Sequence, residues 1–371
     1  MKRIIRVAAL GGAVALALAA CGSAPEETAE TPGGGESSAA GTDFTACMVS
    51  DEGGFDDASF NESGYEGLER AKDELGIEIK TAESTDPGQY TQNVDSMVQQ
   101  GCDLIIGVGF ALEDAIQEGA EANPDIEFAL VDSAFSDAEF NPVEIDNAKP
   151  LLFNTQEAAY LAGYLAAGMS TTGAVSTFGG QPFPSVTIFM DGFSDGVQAY
   201  NEDSSASVRL LGWDKDAQNG SMVGNFTDTE AGRTTSEQFI ADGADVILPV
   251  AGPVGSGALN AASQADGTMV IWVDSDGYLQ PQNEQYKSLI LTSVMKQISA
   301  AVFDTIQASV DGEFTNEPYV GTLENGGVDI APYHDFEDAV PAELASKVDE
   351  LREAIISGDL VIESPSANAV G

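Results

Sequence analysis

Positive charge is what this chain has least of. Its 371 residues hold 14 Lys and Arg against 61 Asp and Glu, for a net charge of −47 at pH 7. Gripping a phosphate backbone takes clustered cations, so nucleic acid is excluded as a partner. The acidity fits a solvated surface that keeps an exported protein soluble, or a high-salt habitat, and neither identifies a ligand. Histidine is nearly missing as well: the one copy, His334, falls in a late loop. No zinc motif is present, and neither Asp51–Asp57 nor Asp274–Gly277 completes a calcium-binding EF-hand loop. No nucleophile elbow is expected, and no cofactor or metal is implied. Cysteine is scarce too, with three copies at 21, 47 and 102.

What is there begins with a leader. Lys2, Arg3 and Arg6 precede the apolar run Val7–Ala20, which is too short to span a bilayer comfortably. The run ends in Leu18-Ala19-Ala20-Cys21, which resembles the lipobox of bacterial lipoproteins. The resemblance implies a signal peptide over 1–20 and a mature chain that starts at a lipid-bearing Cys21 on the outer face of the cytoplasmic membrane. The alternative is an ordinary secretory signal with a chance cysteine. Residues 22–42 are Ala, Glu, Thr, Pro, Gly and Ser without an aromatic or large aliphatic side chain. Such a segment cannot bury enough apolar surface to offset its conformational entropy, so 21–42 reads as a flexible tether.

The remaining chain, 43–371, carries alternating strand and helix patterns. Phe44–Val49, Ile77–Ile79, Leu104–Val108 and Phe128–Val131 read as strands, separated by helical spacing over Ser59–Glu74, Tyr90–Gln100 and Glu113–Glu121. The pattern restarts after Pro150, with helices at Gln156–Ala167, Phe183–Gln198 and Ala231–Asp242. Strands are read at Ala174–Phe178, Val208–Leu211, Val246–Leu248 and Val270–Val273. A helix over Val294–Asp311 and a last one over Pro341–Ile356 complete the reading. Continuous apolar strands in a β-α-β-α rhythm predict an α/β protein with parallel sheets covered by helices on both faces. We expect two Rossmann-like lobes joined by a hinge. The first takes 43–150 plus roughly 277–322 and the second 151–276 plus roughly 323–371, with a cleft at the strand carboxyl ends. Cys47 lies in the first strand and Cys102 opens the strand Cys102–Ile106; the two read as an exported disulfide, given that those strands are neighbours, or else as two buried thiols.

Polar residues gather at those strand ends. Asp51 follows the first strand, Asp132 ends Phe128–Val131, Gly252 follows Val246–Val250, and Asp274 ends Val270–Val273. Carboxylates at strand tips can accept several hydrogen bonds from sugar hydroxyls, although Asp is also a common helix cap after a strand. The stretch Asp51-Glu-Gly-Gly-Phe-Asp56-Asp57-Ala-Ser-Phe60-Asn61 closely resembles the opening signature of the basic membrane protein lipoproteins. Further similar segments follow in order: Asp103–Phe110, Glu157–Gly163, Val223–Asp228, Gly243–Ile247, Ala251–Gly255, Val273–Asp276 and Thr292–Lys296. That family includes purine nucleoside receptors that feed ABC transporters, a branch of the type I periplasmic-binding-protein fold. The resemblance implies a base sandwiched between Phe60 and Phe226, with Trp213 the competing second ring. It implies a base-edge contact from Asp132 and ribose contacts from Asp274, Gly252 and Lys296. Asp51 and Asn61 flank the same pocket, and Asn61 is a candidate for reading a base edge through its amide. The chain departs from the family in its strong acidity, in the stretch Trp213–Gly220 and in Gln181–Pro184.

The function expected from this is a membrane-anchored, monomeric binding protein, not an enzyme, that captures a nucleoside and hands it to an ABC permease. Two other readings stay open. A free sugar or signalling molecule could be the ligand on the same fold, or the carboxylates could serve a nucleoside hydrolase as acid and base.

Overall fold

A computed structural model of the chain describes residues 43–137 and 141–367. The leader over 1–20, the tether over 21–42 and Cys21 lie outside the described residues. No helix among the described residues is long and apolar enough to cross a membrane.

The first half of the chain lays down β1 (Thr45–Ser50), α1 (Phe60–Leu75), β2 (Glu78–Ala82), α2 (Tyr90–Gln99) and β3 (Leu104–Val108). It continues with α3 (Glu113–Ala122), β4 (Glu127–Val131) and β5 (Ala148–Phe153). The second half brings α4 (Thr155–Met169), β6 (Ala174–Gly179), α5 (Pro184–Ser204), β7 (Arg209–Leu211), the hairpin β8 (Trp213–Asp214) and β9 (Asn219–Gly220), and α6 (Thr229–Ala241). After these come β10 (Val246–Val250), α7 (Gly255–Ala262), β11 (Met269–Asp274), β12 (Ile290–Lys296), α8 (Ile298–Val310), β13 (Tyr319–Gly321), β14 (Val328–Ile330) and α9 (Ala342–Ile356).

Two six-stranded sheets result, in the orders β13-β5-β4-β3-β1-β2 and β14-β12-β11-β10-β6-β7. Every pair in the first is parallel, and in the second only β14 runs antiparallel to its neighbour. β1, β3 and β4 are almost wholly buried, as are β6, β10 and β11, which is why their sequences are mainly apolar without polar alternation. In each sheet the strand order reverses beside its first strand, between β1 and β3 and between β6 and β10. Open α/β sheets present their ligand crevice at that place.

The lobe boundaries differ from the expectation. The sequence pattern places the segment from about 277 in the first lobe and predicts one helix over Val294–Asp311. Instead Ile290–Lys296 is a strand paired with β11 in the second sheet, and helix α8 begins at Ile298. The run Ile-Leu-Thr-Ser-Val has no helical face, because all five residues are buried. The chain returns to the first lobe only at α8, which packs on α1, and at β13. β5 likewise extends the first sheet to Phe153. Three chain segments therefore cross between lobes, and they are tied together at the crossing. Asn154 N–H donates to Gly321 O at 2.8 Å, Gln297 N–H to Gly327 O at 2.9 Å, and Leu323 N–H to a Glu157 carboxylate oxygen at 2.8 Å.

Helices α4 and α5 pack with their backbones close together. A Cβ at Gly192 would sit 2.3 Å from the Gln156 carbonyl oxygen, and one at Gly196 2.0 Å from that of Tyr160. These glycines also bracket Gly192-Phe193-Ser194-Asp195-Gly196, a G-x-S-x-G string. It lies inside α5 and not at a strand-to-helix turn, so its spacing serves helix packing and makes no nucleophile elbow.

Cys47 in β1 and Cys102, just before β3, form a disulfide with their Cα atoms 6.0 Å apart. The bridge ties adjacent strands across 55 residues of chain and settles the two readings of these thiols. Replacing both cysteines with alanine should lower stability by roughly 2–4 kcal/mol, because the unfolded chain gains freedom. Urea unfolding of the oxidised wild type and the double variant checks this, and coincident midpoints would mean that the bridge contributes nothing.

A candidate ligand-binding site between the lobes

The carboxyl ends of the two sheets face one cavity whose empty space, including its mouth, is about 550 Å³. Asp51, Phe60, Asn61, Asp132, Phe226, Gly252, Asp274 and Lys296, spread over nearly 250 residues of sequence, all line it.

At its base lies a buried group of three charges. Lys296, at the end of β12, pairs with Asp132 at the tip of β4 in the other lobe and, at 3.3 Å, with Asp274 at the tip of β11. Asp132 and Asp274 both have left-handed backbones, φ 65° and 67°, which Asp tolerates better than most residues. That turn lets the side chain leave the strand end and point at the ammonium. Burial alone would lower the Lys296 pKa, but the two carboxylates outweigh it and hold the ammonium above its usual value. The Lys296 Nζ also lies 5.0 Å from the Phe60 ring centre and 4.7 Å from that of Phe189. Lys296 is thus buried at the end of a strand and not a solvated helical lysine.

A second acidic group comes from the first lobe. Asp51 follows β1, where burial pushes its carboxyl up to about 8; the Asn61 amide, donating from Nδ2 at 3.1 Å, opposes this, and the nearby Asp57 and Glu52 add to it. Asp57 caps α1 by accepting the backbone N–H groups of Ser59, Asn61 and Glu62 at 2.9–3.0 Å. Its carboxyl is still raised to about 6 by burial. The capping occupies the Asp57 carboxylate with backbone donors while its charge still acts on Asp51. Asn61 is buried, and its Oδ1 has no hydrogen-bond partner.

Aromatic rings form the remaining wall. Phe226 packs against Phe183 at 5.9 Å between ring centres, and Phe183 against Phe110 at 5.2 Å. Phe226 lies directly over Gly180, where a Cβ would come within 2.3 Å of its ring. Trp213 is not in this wall: it is buried in the second lobe with its Nε1 donating to Asp191 at 2.9 Å. The sequence reading missed Phe110, Phe183, Phe189 and Asp57 as lining residues. Phe110 was visible as the last residue of a strand-end Gly-Val-Gly-Phe. Phe183 stood in the Pro-flanked segment already marked as unusual, whereas nothing local marks Phe189 apart from other helix residues. His334 sits away from the cavity, bonded to Asp276 at 2.8 Å and stacked on Tyr278.

Comparison with known proteins places these features in a family. The family described as Bmp, ABC transporter substrate-binding protein PnrA-like, matches residues 44–366. The chain is 30% identical to the ABC transporter nucleoside-binding protein BmpA of Lactococcus lactis, over 98% of this chain and 99% of the relative. It is 29% identical to basic membrane protein A of Borreliella burgdorferi, over 84% and 86% respectively. Among solved structures, an ABC transporter solute-binding protein from Aeropyrum pernix superposes with a TM-score of 0.77 at 25% identity, covering 87% of this chain and 94% of that one. An arabinose-binding protein from Geobacillus stearothermophilus shares the fold alone, with a TM-score of 0.57 at 16% identity over 81% of this chain and all of its own (100%). With a match that takes in both lobes and every residue lining the cavity, the chain belongs to the Bmp family of PnrA-like ABC transporter substrate-binding proteins.

Proposed function

We propose that the cavity binds a nucleoside, a purine one by preference, and that the protein delivers it to an ABC permease from a lipid anchor at Cys21 on the extracytoplasmic face. The observation that carries this reading is the chemical division of the cavity. One part is a buried ammonium with two carboxylates, and the other is walled by rings. Asp274 and Lys296 are suited to vicinal ribose hydroxyls, since a carboxylate accepts both protons and an ammonium donates to an oxygen lone pair. Phe60 and Phe226 offer flat apolar faces to a heterocycle. The unpartnered Asn61 Oδ1 and the raised Asp51 carboxyl, which is able to donate when protonated, supply an acceptor and a donor for a base edge. The nucleoside-binding function of the Lactococcus lactis relative supports the same reading. Asp132 fits the base edge less well than the resemblance implied, because its pairing with Lys296 turns it toward the ribose end.

Calorimetry with adenosine, guanosine, uridine and ribose tests the proposal. Purine nucleosides should bind most tightly, and ribose as tight as adenosine would remove any role for the rings. Steady release of free base from inosine would replace transport with hydrolysis. Phe60→Ala should weaken adenosine by about 1–3 kcal/mol, the usual worth of one stacked base, with the unfolding midpoint little changed. A variant that loses its fold would instead make Phe60 a packing residue.

The raised carboxyls also make stability depend on pH. Asp51 and Asp57 hold protons in the folded state up to about 8 and about 6, whereas unfolded Asp releases them near about 4. The folded state therefore binds more protons between those values, and its stability falls as pH rises through the window. Asp51→Asn should shrink the stability lost between about pH 5 and about pH 8 in urea unfolding. An unchanged loss would mean that Asp51 is ionised throughout.

A further inference from the structure

The loop between β1 and α1 makes contacts that binding of a ligand does not explain. We propose that Asp56–Ser59 is an interlobe clasp, in which Ala58 docks into the second lobe and Ser59 positions Asp274, so that these two residues, which do not line the cavity, set the affinity. The inference rests on the nucleoside reading for its ligand, but not for the clasp itself.

Ala58 belongs to the first lobe by sequence, yet its side chain is buried among Leu259, Ala262, Val270, Trp272 and Ile290, all of the second lobe. Its backbone is left-handed, φ 56°, a conformation that alanine adopts reluctantly and that surrounding contacts must hold in place. Those contacts are present. The Ala58 carbonyl accepts the Trp272 indole N–H at 3.3 Å and the Ser275 hydroxyl at 3.5 Å. Gln282 Nε2 reaches from the second lobe to carboxylate oxygens of Asp56 and Glu62, each at 3.3 Å.

Ser59 adds a directed link. Its hydroxyl donates to Asp274 Oδ2 at 2.6 Å, while Asp274 Oδ1 faces Lys296. One oxygen of the carboxylate proposed to hold the ribose is thus fixed by the opposite lobe. Ser59 stands at the start of α1, but its side chain does not cap the helix; Asp57 does. Neither Ala58 nor Ser59 is among the described residues lining the cavity. Opening the cleft would break the Ser59–Asp274 bond, free the Trp272 indole and withdraw Ala58 from its apolar niche. Closure restores all three, and the orientation of Asp274 is restored with it.

The test uses adenosine as probe and the two tryptophan indoles as reporters. Ser59→Ala should weaken adenosine about tenfold, the usual worth of a hydrogen bond to a charged group, mainly through faster dissociation, while Ser59→Thr keeps the hydroxyl and restores binding. Ala58→Asp should place a charge in the apolar niche and speed hydrogen exchange at the Trp272 indole, followed by NMR without ligand. The Trp213 indole, bonded to Asp191 within the second lobe, should keep its wild-type rate and so reports that the lobe is folded. Adenosine affinity of Ser59→Ala within about twofold of wild type, or Trp272 exchange unchanged in Ala58→Asp, would overturn the clasp. Failure of the wild type to bind any nucleoside would sink the ligand reading alone, since indole exchange reads the clasp without one.

Discussion

The site is organised by the pairing of Lys296 with one carboxylate from each lobe. Taking three charges out of water costs several kcal/mol per ion, which is recovered only when attraction and hydrogen bonds are close to ideal. Asp132 arrives from the first sheet and Asp274 from the second, so the ammonium is fully paired only when both lobes are in place. Removing one partner would leave a buried, uncompensated charge, the costly case for such groups. The surrounding structure serves that geometry. The strand tips turn left-handed to aim the two aspartates, Phe60 and Phe189 shield the ammonium, and the three crossing segments run together beside it.

The two lobes repeat one plan, and the site is where they differ. Within the second sheet, β7-β6-β10-β11-β12 follows the same order as β2-β1-β3-β4-β5 in the first. Asp132 and Asp274 are therefore equivalent residues on equivalent strands, with nearly identical φ. Lys296 ends the strand equivalent to β5, where the first lobe has Phe153; the residues that follow, Asn154 and Gln297, match as the caps of α4 and α8. Asp51 follows β1, whereas after the equivalent β6 the chain carries Gly180, whose bare Cα leaves room for the Phe226 ring. Repetition supplies a symmetric pair of acids. The departures from it supply a single cation and an uneven set of rings, Phe60 and Phe110 from the first lobe and Phe183, Phe189 and Phe226 from the second.

Most of this was legible in the sequence because the buried parallel strands are continuous apolar runs, and the residue after each run must lie at a sheet edge. That logic located Asp51, Asp132, Gly252 and Asp274 without any structure. It failed at Ile290–Lys296, where a strand is followed at once by a helix and the two apolar patterns merge. The same error put Lys296 on a helix and moved the lobe boundary. The choice of Phe226 over Trp213 was open for a related reason: both follow the second lobe's second strand, and only packing shows that Trp213 turns inward to Asp191.

The sequence by itself determined the α/β alternation, the doubled architecture, the acidic strand tips and the family, since these depend on local periodicity and on short motifs in order. Only the tertiary structure decided that Cys47 meets Cys102, that Lys296 is shared between Asp132 and Asp274, and that Ala58 crosses into the other lobe. The physical reason is that the contacts between Cys47 and Cys102, Lys296 and Asp132, and Trp272 and Ala58 join residues 55, 164 and 214 positions apart. Their partners are selected by how two sheets pack and close, which local pattern does not encode.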